Sequence, residues 1–235
     1  MKKGEKIYEG KAKILYSTEE TDKLIQHFKD DATAFNAQKK GTIKEKGVLN
    51  NKISSRIFEL LEKEGVKTHF IERTSDRDML VKKVEIIPVE IVIRNVTAGS
   101  LSKRMGIDEG ITLKEPILEF YYKSDELGDP MINEYHIKVF NLANEKEMDI
   151  IKVMALKVNK FLVDFFDKNG IRLIDFKLEF GRYNGDVLLA DEITPDGCRL
   201  WDKKSGEKMD KDRFRQDLGK IEEAYQEVYK RVFGN

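Results

Sequence analysis

The chain has 235 residues, with 43 Lys and Arg against 43 Asp and Glu, so its formal net charge is +0. This balance argues against nonspecific nucleic-acid binding, which needs surplus positive charge, and 37% charged with 40% hydrophobic residues marks a globular chain rather than a disordered one. No apolar run approaches the roughly 20 residues of a membrane helix, no signal-peptide core follows Met1-Lys2-Lys3-Gly4-Glu5-Lys6, and the single Cys198 leaves no intrachain disulfide and suits a reducing cytoplasm.

The first third reads as β. Residues 6–9 and 11–17 form a predicted hairpin around Gly10, and residues 24–29, 66–72 and 79–86 are further strand candidates rich in Val, Ile, Phe and Thr. One helix interrupts them: Ile53, Ile57, Leu60 and Leu61 recur at helical spacing, and Gly65 ends the run. A long apolar strand over 88–96 runs into a turn at Ala98-Gly99-Ser100. Asn144 and Glu147 then open a helix as a capping box, with Met148, Ile151, Ala155, Val158, Leu162 and Phe165 as its apolar stripe up to Gly170. A charged strand at 173–181, an Asn184-Gly185 turn and a strand at 187–193 follow. Asp210 is placed to cap a last helix whose buried face is Phe214, Leu218, Ile221, Tyr225, Val228 and Val232. Residues 124–136 and 194–211 read as ordered loops. The fold class is α+β in two lobes, a β-rich lobe followed by a mixed α+β lobe, with a cleft between them where small ligands tend to bind.

The most informative stretch is Leu173-Ile174-Asp175-Phe176-Lys177-Leu178-Glu179-Phe180-Gly181. Strict alternation puts Ile174, Phe176, Leu178 and Phe180 on one face and Asp175, Lys177 and Glu179 on the other. Two carboxylates flanking an ammonium suit a divalent cation together with a phosphate or carboxylate ligand. The alternative is a solvated strand face with Lys177 paired to its neighbours. On the following strand the candidate second carboxylate is Asp191 or Glu192. A two-residue loop at Asn184-Gly185 sends Asp191 to the face opposite Glu179, whereas an odd loop or bulge sets the two side by side.

Other clusters carry chemistry. In Tyr8-Glu9-Gly10-Lys11-Ala12-Lys13 a glycine hairpin lets backbone N–H groups approach phosphate, and Lys11 and Lys13 share a face; two solvated lysines on a surface hairpin would read the same. Arg94 at the end of an apolar strand, with the Ser100 hydroxyl and turn amides, makes an anion site unless Arg94 merely pairs with Glu90 or another carboxylate. Asp196 and Arg199 lie in the turn-rich run Thr194-Pro195-Asp196-Gly197-Cys198-Arg199-Leu200-Trp201-Asp202. The histidines, His27, His69 and His136, are scattered without ligand spacing and read as structural. So does Cys198.

Together these residues resemble the SAICAR synthetase family of purine biosynthesis. Residues 86–100 and 173–181 match its two long signatures, supported by Gly10-Lys11-Ala12-Lys13, Asp129-Pro130-Met131-Ile132-Asn133-Glu134, residues 195–202 and Asp210-Lys211-Asp212-Arg213-Phe214-Arg215. The resemblance spans the chain and points to the compact bacterial form. Asn36 and Cys198 stand where an aspartate and a serine are common in the family, and neither is given a ligand role.

The resemblance implies a kinase-like, ATP-grasp-like nucleotide-binding lobe over residues 1–82 and a substrate- and metal-binding lobe over 83–235. It implies ATP and Mg²⁺ as cofactors, carboxyaminoimidazole ribonucleotide (CAIR) and L-aspartate as substrates, and a cytoplasmic homodimer with neither nucleic acid nor membrane as a partner. Gly10, Lys11, Ala12 and Lys13 would hold the ATP phosphates, and Val81, Lys82 and Val84 the adenine. Glu179 and Asp191 would hold Mg²⁺, and Asp175 and Lys177 would face the reacting carboxylate. Arg94, Ser100, Asp196 and Arg199 would bind the ribonucleotide, and Lys123 and Arg215 are candidates for L-aspartate. The rival readings are a small-molecule kinase with a hydroxyl acceptor and a non-catalytic nucleotide-binding module.

Overall fold

A computed structural model describes residues 1–34 and 39–234; Asn36 lies outside the described residues. The N-terminal part comprises β1 (Lys6–Glu9), β2 (Lys13–Ser17), β3 (Lys23–Phe28), β4 (Asp31–Ala34), β5 (Lys39–Thr42), α1 (Lys46–Lys63), β6 (Phe70–Arg73) and β7 (Asp78–Lys82). Its main sheet has five antiparallel strands in the order β1-β2-β3-β7-β6, and β4 and β5 form a separate ribbon. Helix α1 covers that sheet through Ile53, Ile57, Phe58 and Leu61, all fully buried. Gly65, at φ 76°, turns the chain after the helix as its sequence position predicts.

The remainder comprises β8 (Glu85–Ile86), β9 (Val89–Val96), α2 (Gly99–Met105), β10 (Thr112–Tyr122), a 3₁₀ turn (Asp125–Leu127), β11 (Met131–Ile132), α3 (Glu134–Val139), α4 (Glu145–Lys168), β12 (Ile171–Tyr183), β13 (Asp186–Ala190), β14 (Cys198–Asp202), α5 (Asp212–Arg215) and α6 (Ile221–Phe233). A seven-stranded sheet runs β11-β10-β9-β12-β13, and β14 and β8 also pair with the long β12. Helix α4 packs on this sheet. Its capping box forms as predicted: the Asn144 side chain accepts from Glu147 N at 2.9 Å and Glu147 accepts from Asn144 N at 2.8 Å. Its stripe ends on Phe166 rather than Phe165. Each fully buried aliphatic side chain of that face contributes roughly 1.5–3 kcal/mol.

Four local expectations change. The Ala98-Gly99-Ser100 turn is the entry to α2. Residues 112–122, unassigned from sequence, form β10, because Pro116 and a register shift between Thr112 and Ile117 disguise the alternation. The last helix is broken: left-handed backbone at Asp217, Gly219 and Lys220 separates α5 from α6 and leaves Leu218 exposed. Finally, both segments read as loops hold regular structure: 124–136 contains the 3₁₀ turn, β11 and the start of α3, and 194–211 contains β14, so Arg199 projects from a strand rather than a turn.

Candidate active site

Strand β12 organises the site because it lies centrally in the sheet and alternates as predicted. Asp175 pairs with Arg94 of β9, Lys177 with Val92, and Glu179 with Ala190 of β13. The charged face is no solvated edge. Asp175 and Glu179 are buried, and together with Lys177 they line a cavity of about 640 Å³ that also receives residues of β2, β3 and β7.

One end of the cavity is a lysine–carboxylate cluster. Lys177 donates to Glu179 at 2.5 Å and to Glu90 at 2.9 Å, and Lys123 donates to Glu179 at 2.9 Å. Lys13 is ion-paired with Asp191 and lies 3.9 Å from Glu192. Lys13 is therefore not a solvated lysine on a hairpin surface: its side chain is largely buried. Lys11 is the exposed one and pairs with Asp125 at 2.7 Å. Gly10 and Ala12 line the same wall, where Gly10 N donates to Lys13 O at 2.8 Å and Ala12 O accepts from Lys29 N at 2.8 Å.

Asp191 reaches this cluster by an unexpected route. The β12–β13 hairpin closes with the two-residue Asn184-Gly185 turn, with register Tyr183 to Asp186 and φ of 50° and 84°, the geometry of a type I′ turn. No odd loop or bulge exists there, so the parity expected to bring Asp191 beside Glu179 is absent. Instead β13 ends at Ala190, and Asp191 adopts left-handed backbone at φ 65°. The kink turns its carboxylate into the cavity, and Glu192 lines the cavity as well.

Burial opposes ionisation of Asp191, but Lys13 and Lys177 outweigh it and hold the carboxyl well below its ordinary range. Burial and Asp191 push Glu179 upward, and Lys177 and Lys123 overcome them. Burial lowers Lys177, but Glu179, Asp191 and Glu90 keep it well above its ordinary value. Burial raises Glu192 to about 6 against the pull of Lys13, and its Oε2 has no hydrogen-bond partner among the described residues. Among the described residues no group of three or more His, Cys, Asp or Glu has the arrangement of a closed metal cage. Glu179 and Asp191 nevertheless offer only oxygen donors, ionised and inside the cavity. Such a pair fits Mg²⁺, which takes one or two carboxylates and completes its shell with phosphates and water.

The other end is an arginine cluster. Arg94 Nη1 donates to Asp175 at 2.6 Å, its Nε to Glu119 at 2.9 Å, and its Nη2 to the Ser100 hydroxyl at 3.0 Å. Arg94 thus pairs with Asp175 and Glu119, not with Glu90. Arg199 donates to Asp175 at 2.9 Å and to Asp212 at 2.8 Å, and Arg215 donates to Asp212 at 2.6 Å. Burial lowers Arg199, but Asp175 and Asp212 outweigh it and raise it above its ordinary value. Gly99, at φ 54°, lets this cluster form: a Cβ there would lie 2.5 Å from Arg199 Nη2. The expected free turn amides are not all free, since Gly99 N donates to Glu109 at 2.7 Å. Ser100 does not line the cavity but reaches it through Arg94. Asp196 lines it with its carboxylate already engaged by Lys46 and the Tyr225 hydroxyl, each at 2.5 Å. Cys198 is buried, and burial raises its thiol well above the ordinary value, in keeping with a passive role.

On the side of the five-stranded sheet, Val81, Lys82 and Val84 line the cavity with Leu15 and Leu24. The structure therefore gathers every sequence-predicted site residue except Ser100 on one cavity wall or another. Glu90 and His69 line the cavity as well, and Glu119, Lys46 and Asp212 stand behind it, bonded to Arg94, Asp196 and Arg199. Glu119 went unseen because β10 did, and His69 because a lone histidine has no spacing signal.

The SAICAR synthetase family profile matches residues 6–232. The phosphoribosylaminoimidazole-succinocarboxamide synthase of Caldanaerobacter subterraneus subsp. tengcongensis is 60% identical over 232 residues, covering 99% of each chain. The crystal structure of the synthase of that name from Ehrlichia chaffeensis superposes with a TM-score of 0.96 at 51% identity, covering 97% of this chain and 98% of that one. A SAICAR synthetase solved in complex with ADP superposes with a TM-score of 0.94 at 53% identity, covering 97% of each. The two signature segments that suggested the family, residues 86–100 and 173–181, supply the Arg94–Asp175 and Lys177–Glu179 pairs at the two ends of the cavity. By sequence and fold together, the chain belongs to the SAICAR synthetase family, ligases of purine biosynthesis.

Proposed function

We propose that the chain joins the carboxylate of CAIR to the amine of L-aspartate at the expense of ATP, giving SAICAR, ADP and phosphate through an acyl phosphate. The observation that carries this reading is one cavity with a lysine–carboxylate cluster at one end and an arginine cluster at the other, linked by alternate residues of β12. A free carboxylate is a poor acylating agent because oxide would have to leave. Attack of a CAIR carboxylate oxygen on the γ-phosphorus, with ADP leaving, converts it to an acyl phosphate. The aspartate amine then attacks the acyl carbon, inorganic phosphate departs, and the nitrogen gives up its proton.

In this reading residues 1–82 form the nucleotide-binding lobe and 83–235 the substrate lobe. Lys13, with the Gly10–Ala12 backbone and Lys11, neutralises the ATP phosphates, and Val81, Lys82 and Val84 flank the adenine. Glu179 and Asp191 would hold Mg²⁺, which when bound would neutralise phosphate charge. Lys177 and Asp175 face the reacting carboxylate. Arg94, held by Ser100, and Arg199 take the ribonucleotide phosphate through their paired N–H groups, with Asp196 bounding that pocket. Lys123 and Arg215 face L-aspartate. Positioning and charge neutralisation carry such chemistry more than any protein nucleophile.

The test uses CAIR labelled with ¹⁸O in its carboxylate. ADP release dependent on both CAIR and L-aspartate, with one ¹⁸O passing into inorganic phosphate, is the expected result. ADP release without aspartate and with a phosphorylated product would identify a kinase. Unlabelled phosphate would exclude the acyl phosphate.

A further inference from the structure

His69 is a buried group of the cavity that the reaction scheme leaves unused. It is 3% exposed, it lines the cavity, and neither Nδ1 nor Nε2 has a hydrogen-bond partner among the described residues. Buried polar atoms in folded proteins are nearly always satisfied, so an imidazole with two orphaned nitrogens on a ligand cavity points to a ligand. The ring is held in place. His69 N donates to Leu189 O at 2.8 Å, its O accepts from Lys82 N at 2.7 Å, and the ring stands edge-on to Phe58 at 5.2 Å and 77°. Leu24 and Val81, cross-strand partners in the same sheet, line the cavity beside it with Leu15. Apolar walls with an unsatisfied imidazole between them suit the edge of a flat heterocycle rather than a phosphate.

We infer that His69 reads the nucleobase of the bound nucleotide, one ring nitrogen accepting a hydrogen bond from the exocyclic 6-amino group of adenine. The inference rests on the ATP reading above. Lys82 N bonds to the His69 carbonyl, and both residues line the cavity, so the ring sits beside the strand assigned to the adenine. Burial and the nearby Lys13 ammonium drive the imidazole down to about 3, so it is neutral and carries a free acceptor lone pair. An acceptor is what the neutral ring adds, and the 6-amino group is the one donor on the adenine ring system.

The experiment compares ATP with purine riboside 5′-triphosphate, which lacks only the 6-amino group, by calorimetry on the full chain and on His69→Phe. The unmutated protein should bind ATP about tenfold more tightly than the analogue, and His69→Phe should lose about tenfold toward ATP and nothing toward the analogue. Equal losses for both nucleotides, or no loss for either, would overturn the inference and leave His69 a packing residue. Should His69→Phe fail to fold, the ¹⁵N shifts of the His69 ring in the unmutated protein decide: ATP must move one ring nitrogen and the analogue must not, and an identical response refutes the assignment. Failure of the ATP reading is distinguishable, because the unmutated protein would then bind neither nucleotide.

Discussion

Arg94 and Asp175 face each other across β9 and β12, joined at 2.6 Å with both side chains buried. Arg199 grips the same carboxylate at 2.9 Å. Asp175 therefore holds two guanidinium groups side by side that would otherwise repel. Asp175→Asn should lower stability by about 3 kcal/mol, because removing one partner strands buried charge, and inorganic phosphate should restore part of that loss by binding the freed arginines. Urea unfolding with and without phosphate checks this; equal stability in the variant and the parent would show that the network is balanced elsewhere.

Arg199→Lys keeps the charge and removes the fork. The expected outcome is a ribonucleotide KM raised about ten- to a hundredfold, since a charge-assisted hydrogen bond is worth roughly 1.5–3 kcal/mol, with the ATP KM unchanged. Arg94→Lys should do the same and also lower the melting temperature, because Arg94 additionally holds Glu119. Steady-state kinetics with each substrate varied separates the two effects.

Lys13→Ala touches a buried pair rather than a surface lysine. Asp191 would lose its partner while Lys177 stays 3.6 Å away, so a stability loss of about 2 kcal/mol is expected, together with weakened ATP binding. Chemical denaturation and nucleotide titration of the variant measure both. A change within about 0.5 kcal/mol would match a solvated surface site instead.

Gly99→Ala places a methyl group where the Arg199 guanidinium sits, at a backbone φ of 54°. Strained backbone and a displaced arginine together should cost about 1–3 kcal/mol and raise the ribonucleotide KM. If the KM holds while stability falls, Arg199 is not part of the phosphate site.

His69 predicts a pH effect on stability. Its folded value is depressed to about 3, below the roughly 6.5 of an unfolded histidine, so the native state binds fewer protons between those values. Stability from this group is present above the unfolded value and lost as pH falls. Between pH 6.5 and 5 the loss should approach about 2 kcal/mol. His69→Gln should remove that component, so its unfolding free energy should fall less than the parent's over this range. Parallel pH profiles for the two proteins would contradict it.

What the sequence determined by itself is local. Period-two alternation identified β12 and its charged face, Asn144 with Glu147 opened α4, and Asn184-Gly185 closed the hairpin. These follow from backbone geometry and neighbours within a few residues. The family signatures likewise lie in single contiguous segments. Tertiary structure decided the rest. Asp191 enters the cavity through a left-handed backbone after its strand has ended, a choice that pays off only because Lys13, from a different sheet, waits for its carboxylate. Strand β10 forms despite Pro116 because β9 pairs with it, and through it Glu119 meets Arg94. The His69 ring is placed only once Phe58 packs against it and Leu189 and Lys82 bond its backbone. A charge or a ring is assigned its partner by the packing of distant segments, and that information is not written in any local period.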